Sequence, residues 1–204
     1  MRPCSCVSAC AYLTNMPNDV FCKERATAEQ VGHPPIVWSD LETTGLAPEW
    51  DQILEVGFVI TNADLEPQGT YQSVVSWPEL VSMDEVVYRM HTDSGLLPLV
   101  QNHEGKPLHV IDEEVAAFFL ANGVTDKSPL AGSTIHFDRS FLRQHLQLAH
   151  GMLHYRNIDV SSLRELIKRW APEELYTKGD AHRAMPDCLD SIRQLRHYRK
   201  VMGL

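Results

Sequence analysis

The chain has 204 residues, 18 Lys+Arg against 27 Asp+Glu for a formal charge of −9, and a hydrophobic fraction of 44%. A chain this long can bury a substantial core without disulfide or metal staples. No apolar run approaches the ~18–20 residues that cross a bilayer, which excludes a membrane-spanning helix, and the acidic total excludes a protein that grips long nucleic acid by overall charge.

The charge is unevenly spread. Residues 1–134 hold 6 Lys+Arg and 19 Asp+Glu (net −13), while residues 135–204 hold 12 and 8 (net +4) and six of the ten His. Exposed Arg and Lys on C-terminal helices explain this as readily as an acidic site that needs cations, facing a basic segment that receives an anion. Residues 1–35 read as a loosely ordered N-terminal extension, with Met16 as a candidate start. They carry Cys4, Cys6, Cys10 and Cys22 at a spacing that matches no usual zinc site, and His33-Pro34-Pro35 punctuates the boundary. With Cys188 the only cysteine of residues 36–204, a disulfide framework is not expected and a reducing cytoplasm fits best.

From residue 36 to 204 the pattern is a single α/β domain. Ile36-Val37-Trp38 is an apolar strand running into Ser39-Asp40-Leu41-Glu42, and Thr43-Thr44-Gly45-Leu46 turns the chain. Residues 52–61 and 70–76 form two further strands, an antiparallel meander with the first. Residues 112–122 form an amphipathic helix with Asp112 as N-cap and Gly123 beyond its end. Residues 130–132 are a short buried strand, 138–148 an Arg- and Phe-rich helix, and 157–160 another short strand. A helix over 161–170 and a long one through 191–202 finish the chain. Strands first, then helices alternating with short strands, indicate a mixed central sheet flanked by helices. Trp38 and Trp170 read as core, Met83 and Met90 as core filler.

The chemistry lies in the acids. Asp40 and Glu42 are two apart on a strand, so both carboxylates point to one face. Held that close in a buried sheet, two like charges raise each other's pKa unless a cation sits between them. Asp138 and Asp187 each stand near a helix start, where an Asp is also an ordinary cap, and Pro186 suits a first turn. Four carboxylates from a strand and two helix starts, with His182 five residues before Asp187, match a two-metal phosphoryl-transfer site. There Mg²⁺ or Mn²⁺ would clamp the attacking and leaving oxygens, and a His would take a proton near neutral pH. Five helical steps would leave His182 and Asp187 on different faces, so His182 must reach the site from the loop before the helix.

Three segments, Asp40-Leu41-Glu42-Thr43-Thr44-Gly45-Leu46, His136-Phe137-Asp138-Arg139 and His182-Arg183-Ala184-Met185-Pro186-Asp187, resemble the three motifs of DEDDh 3′–5′ exonucleases. Within that superfamily the chain is most similar to the oligoribonucleases. The further signatures are Met90 to Leu96 (MHTDSGL), His154 to Ser161 (HYRNIDVS) and Leu166 to Trp170 (LIKRW), and the resemblance covers about Ile36 to Tyr198.

The resemblance implies an RNase H-like exonuclease fold, metal ligation by Asp40, Glu42, Asp138 and Asp187, and His182 as general base. It implies a homodimer in which the His-Tyr-Arg segment of one subunit reaches the other's active site, so that Tyr155 assists catalysis in trans. Arg156, Ser161 and Arg164 would hold the substrate's 5′ phosphate, with Thr134 contributing from the same subunit; Leu46 would pack on the bases and His91 line the pocket. The implied activity is hydrolysis of dinucleotides and other short single-stranded RNAs to 5′-mononucleotides. Val86 stands where the family often carries a stacking Trp, and Thr134 where it often has Ser. Two alternatives are a proofreading-type exonuclease trimming longer strands, and a catalytically silent exonuclease fold used for binding.

Overall fold

The computed structural model describes residues 32–179 and 181–204. Most of the expected N-terminal extension, to residue 31, lies outside the described residues, as do its four cysteines. Among the described residues the strands are β1 (Ile36–Thr43), β2 (Ile53–Thr61), β3 (Pro67–Val74), β4 (Leu130–Gly132) and β5 (Asn157–Asp159). They form one sheet in the order β3-β2-β1-β4-β5. The first three make the expected antiparallel meander, while β4 runs parallel to β1 and β5 parallel to β4. The sheet is therefore mixed.

The helices are α1 (Glu85–Asp93), α2 (Leu96–Gln101), α3 (Leu108–Ala121), α4 (His136–His145), α5 (Gln147–Gly151), α6 (Val160–Trp170) and α7 (Ala184–Val201). Alternation along the strands sends the two faces of the sheet to different helix layers. Val37, Leu41, Val56 and Phe58 pack with Ile111 and Phe119 of α3 and Phe141 of α4. Trp38 and Val59, on the other face, pack with Val160 and Ile167 of α6 and Cys188 and Ile192 of α7. Asp40 and Glu42 share a face with Trp38, so they project toward the layer that contains α7. No helix among the described residues is long and apolar enough to cross a membrane.

Several expectations are corrected. Asp112 is no N-cap: α3 starts at Leu108, after Pro107. The Asp112 carboxylate instead accepts the Leu148 and Ala149 amides at 3.0 and 2.9 Å, at the start of α5, where unpaired helical amides need an acceptor. The expected 138–148 helix breaks at Leu146, whose backbone is non-helical (φ −124°, ψ 67°), giving α4 and α5. Trp170 is 72% exposed at the end of α6, outside the core. Helices α1 and α2 are not predicted by the sequence pattern. Asp84 caps α1 through the Val86 and Val87 amides, but His91 is the only buried residue of that helix, which leaves no apolar period to read.

Candidate active site

β1 continues to Thr43, so the acids that follow Trp38 remain in the strand and keep its alternation. Asp40 and Glu42 therefore meet on one face, and α7 brings Asp187 to them from its first turn. Each of the three offers a carboxylate oxygen, and these oxygens lie within 4.8 Å of one another. Pro186 also falls in that first turn, where its missing N–H breaks no helical bond. Asp138 comes from the first turn of α4, 5% exposed, its carboxyl supported by backbone hydrogen bonds from Leu41 and its own residue. Its charge acts on Asp40 more strongly than that of any other neighbour.

This grouping is electrostatically unfavourable without a cation. Burial first, then the carboxylates of Asp138, Glu42 and Asp187, drives the Asp40 carboxyl well above its ordinary range. Burial, then Asp187 and Glu55, pushes Glu42 up to about 7. Burial above all pushes Asp138 up to about 8. Desolvation and like charge both disfavour the ionised forms, so the cluster calls for positive charge. Part of it comes from Lys178, whose Nζ lies 3.0 Å from Asp187 Oδ1 and whose charge lowers the pKa of Asp40, Glu42 and Asp138. An all-oxygen donor set of this spacing suits a hard divalent cation.

His182 precedes α7 in the loop, as its offset from Asp187 required. Its backbone is left-handed (φ 46°), a conformation that costs a non-glycine residue about 1–2 kcal/mol. It borders a cavity of about 580 Å³ together with Ala181, Val86, Met90 and Ser94. Met90 thus belongs to a cavity wall as well as to α1. Leu46, in the turn after β1, is 83% exposed. His91 is fully buried behind Glu42: its Nε2 is 2.9 Å from the Thr43 carbonyl and its Nδ1 is 3.8 Å from Glu42 Oε2. Burial is the main influence on the ring and lowers its pKa, so neutral imidazole donates from Nε2 to Thr43.

The sequence pattern assigns no role to Glu55 or Lys178, and Arg183 enters it only as a member of the third motif. A signal existed for Glu55, an acid inside the otherwise apolar run QILEVGFVIT, every residue of β2 being buried. Glu55 accepts a fork from Arg183 (Nε to Oε2 2.9 Å, Nη2 to Oε1 2.7 Å), the Ala184 amide at 3.0 Å and Gln72 Nε2 at 2.8 Å. These donors outweigh the upward push of burial and hold its pKa below the ordinary value.

The remaining residues fall into two groups. Thr134, also left-handed (φ 56°), follows β4; its amide donates to Ser161 Oγ at 3.0 Å and Asp159 Oδ1 at 3.1 Å, and the two hydroxyls are 3.1 Å apart. They meet at the ends of β4 and β5, with Asp159 also capping α6 through the Ser161 amide. Tyr155 and Arg156, by contrast, lead into the start of β5. Asn157 is in register with Leu130, and Leu130 with Val37. Asp40 and Glu42 stand three and five residues further along β1, about 10–17 Å up the strand. Within one chain the structure does not bring Tyr155 and Arg156 to the carboxylates. Tyr155 is 75% exposed, with Arg156 over its ring at 5.5 Å. Arg164, on α6, donates to the Tyr176 carbonyl at 3.3 Å.

The profile of the family described as Exonuclease matches residues 37–195. Exonuclease I from Methylocaldum szegediense superposes with a TM-score of 0.65 at 18% identity, over 83% of this chain and 41% of that one. The present chain thus spans about two fifths of that larger protein, and the likeness establishes the RNase H-like α/β fold. Fold and acid-lined site together define an exonuclease domain, one whose family and carboxylate cluster indicate a divalent cation. Relatives narrow the class. The chain is 41% identical to the oligoribonuclease of Corynebacterium efficiens over 81% of its own length and 77% of that protein. It is 42% identical to the oligoribonuclease of Tropheryma whipplei, over 81% and 91%. The chain belongs to the oligoribonucleases, 3′–5′ exoribonucleases of the DEDDh superfamily.

Proposed function

We propose that the protein removes nucleotides from the 3′ end of very short RNAs, dinucleotides included, and releases 5′-mononucleotides. The observation that carries this reading is the convergence of Asp40, Glu42 and Asp187, with Asp138 acting on Asp40, from three separate stretches of chain, and the placement of His182 in the loop that leads into the helix bearing Asp187. The four carboxylates would hold two divalent cations, Mg²⁺ or Mn²⁺, which when bound offset the charge of the acids and of the substrate phosphate. A water attacks the scissile phosphorus, forming a new P–O bond while the bond to the 3′ oxygen breaks. His182 takes the proton of the attacking water, and the departing 3′ oxygen is protonated from solvent. Leu46 offers an apolar surface on which any base can stack without its sequence being read.

Thr134 and Ser161 receive the 5′ phosphate of a short substrate, joined by Arg164 and by Arg156 of a second subunit, since a guanidinium fork matches phosphate oxygens. Tyr155 comes from that same second subunit. The separation of Tyr155 and Arg156 from their own carboxylates along the sheet supports a homodimer with shared sites. His91, enclosed behind Glu42, supports the end of β1 rather than meeting substrate. With Cys188 a buried free thiol, the cytoplasm is the proposed compartment.

The test compares hydrolysis of a 5′-phosphorylated RNA dinucleotide with that of a single-stranded oligomer of about ten nucleotides in Mg²⁺. We expect kcat/KM for the dinucleotide to be higher by about tenfold or more, as a 5′-phosphate pocket at fixed distance from the scissile bond requires. Equal or faster turnover of the long strand would favour a trimming exonuclease instead.

A further inference from the structure

The His182 loop and the start of α7 rest on a buried charged seat in β2. In the antiparallel register Glu55 lies opposite Glu42 and Gly57 opposite Asp40, so the seat is on the same sheet face as the acids. A Cβ on Gly57 would sit 2.7 Å from the Ala184 carbonyl carbon, so only glycine lets the chain approach this closely. Glu55 is fully buried, and its two oxygens take four donors, three of them from Arg183 and Ala184. The Arg183 amide also donates to Asp187 Oδ2 at 3.2 Å. Residue 182 is thus followed immediately by two residues clamped to β2.

Stability does not explain such a pair. Buried ion pairs contribute little net stabilisation compared with apolar residues of similar size, because both charges lose water. A bidentate fork does fix orientation, and His182 needs that, since its left-handed backbone is held only by its surroundings.

We infer that Glu55 and Arg183 are positioning residues for the proton-transfer step, fixing through Ala184 and the Arg183 backbone where the His182 imidazole stands relative to the carboxylates. The inference rests on His182 being the base in the proposed reaction. Neither side chain touches substrate; both act through their neighbour.

The experiment is a double-mutant cycle of Glu55→Gln with His182→Ala, read as kcat and KM on the dinucleotide at saturating Mn²⁺, with Mn²⁺ affinity measured separately by calorimetry. Glu55→Gln alone is expected to lower kcat by about ten- to a hundredfold, the scale of a base misplaced by about 1 Å, with KM and Mn²⁺ affinity within about twofold of wild type. In the His182→Ala background the same change is expected to cost less than about twofold, because residues acting through one group are not additive. An equal cost in both backgrounds, no cost in either, or a loss confined to Mn²⁺ affinity would overturn the inference. Near-normal turnover by His182→Ala alone would instead overturn the base assignment beneath it. If Glu55→Gln lacks a cooperative melt, Arg183→Lys, which keeps the charge and removes the fork, carries the same cycle with the same expected outcomes.

Discussion

The carboxylate end of β1 and the Tyr155–Arg156 approach to β5 serve one proposed reaction, yet the fold builds them in opposite ways. The acids are drawn inward: Glu42, Asp138 and Asp187 are less than a tenth exposed, and burial first, then the neighbouring carboxylates, raises the pKa of Asp40 and Glu42. Tyr155 projects into solvent at the other end of the sheet. A single chain can assemble the cation-demanding half because sequence-distant strands and helices meet in its core. It does not bring Tyr155 and Arg156 to the acids, because those two residues precede β5, an edge strand whose start lies at the opposite end of the sheet from the acids. The contrast separates what one subunit supplies from what, in the proposed homodimer, a second would supply.

The largest effect expected from this division is complementation. Asp40→Ala and Tyr155→Ala should each be inactive alone. Mixed under conditions shown to exchange subunits, they should recover about a quarter of wild-type turnover, because half of the dimers assort as heterodimers with one intact site each. No recovery would mean that both halves of the site act within one chain.

A smaller effect concerns the acids alone. In chelator, Asp40, Glu42 and Asp138 have folded-state pKa values above their unfolded values of ~4. Their contribution to stability is complete below the unfolded values and is lost as pH rises through the folded ones, about 7 for Glu42 and about 8 for Asp138. Melting temperature without metal should therefore fall from about pH 5 to about pH 8, between the unfolded and the folded values, and saturating Mg²⁺ should flatten that slope. Glu55, with its pKa depressed, contributes in the opposite sense only toward acid, as pH falls through its folded value. A metal-free melting temperature that rises over this range would contradict the electrostatics of the cluster.

The smallest effect belongs to Lys178, which faces the same oxygens a cation would use. Its side chain is 39% exposed, so screening leaves the contact worth at most about 1 kcal/mol. Lys178→Met should tighten Mn²⁺ binding by about two- to fivefold in calorimetry. Weaker binding would show instead that the lysine supports the ligand geometry.

Much of this was legible in the sequence, for reasons that differ by element. The meander declared itself through runs of β-branched and aromatic residues, and Asp40 and Glu42 through period-two alternation, which fixes a shared face whatever follows. The position of His182 before the helix followed from helical geometry, and the structure starts α7 at Ala184. What stayed hidden depends on tertiary pairing. Asp112 looked like a cap for its own helix because a cap and a distant acceptor have the same local signature. Trp170 looked like core because size and apolarity say nothing of which face of α6 meets the sheet. The seat made by Glu55 joins residues 128 apart, and only the register of β2 against β1 places it beneath the His182 loop.

The central claim, that the inward-drawn acids form a cation site, is tested most directly by titrating Mn²⁺ into the wild-type chain and into Asp187→Ala with calorimetry. The account predicts two ions per wild-type chain and, in the still-folded variant, loss of at least one with abolished dinucleotide hydrolysis. Unchanged stoichiometry and affinity in Asp187→Ala, or retained turnover, would contradict it.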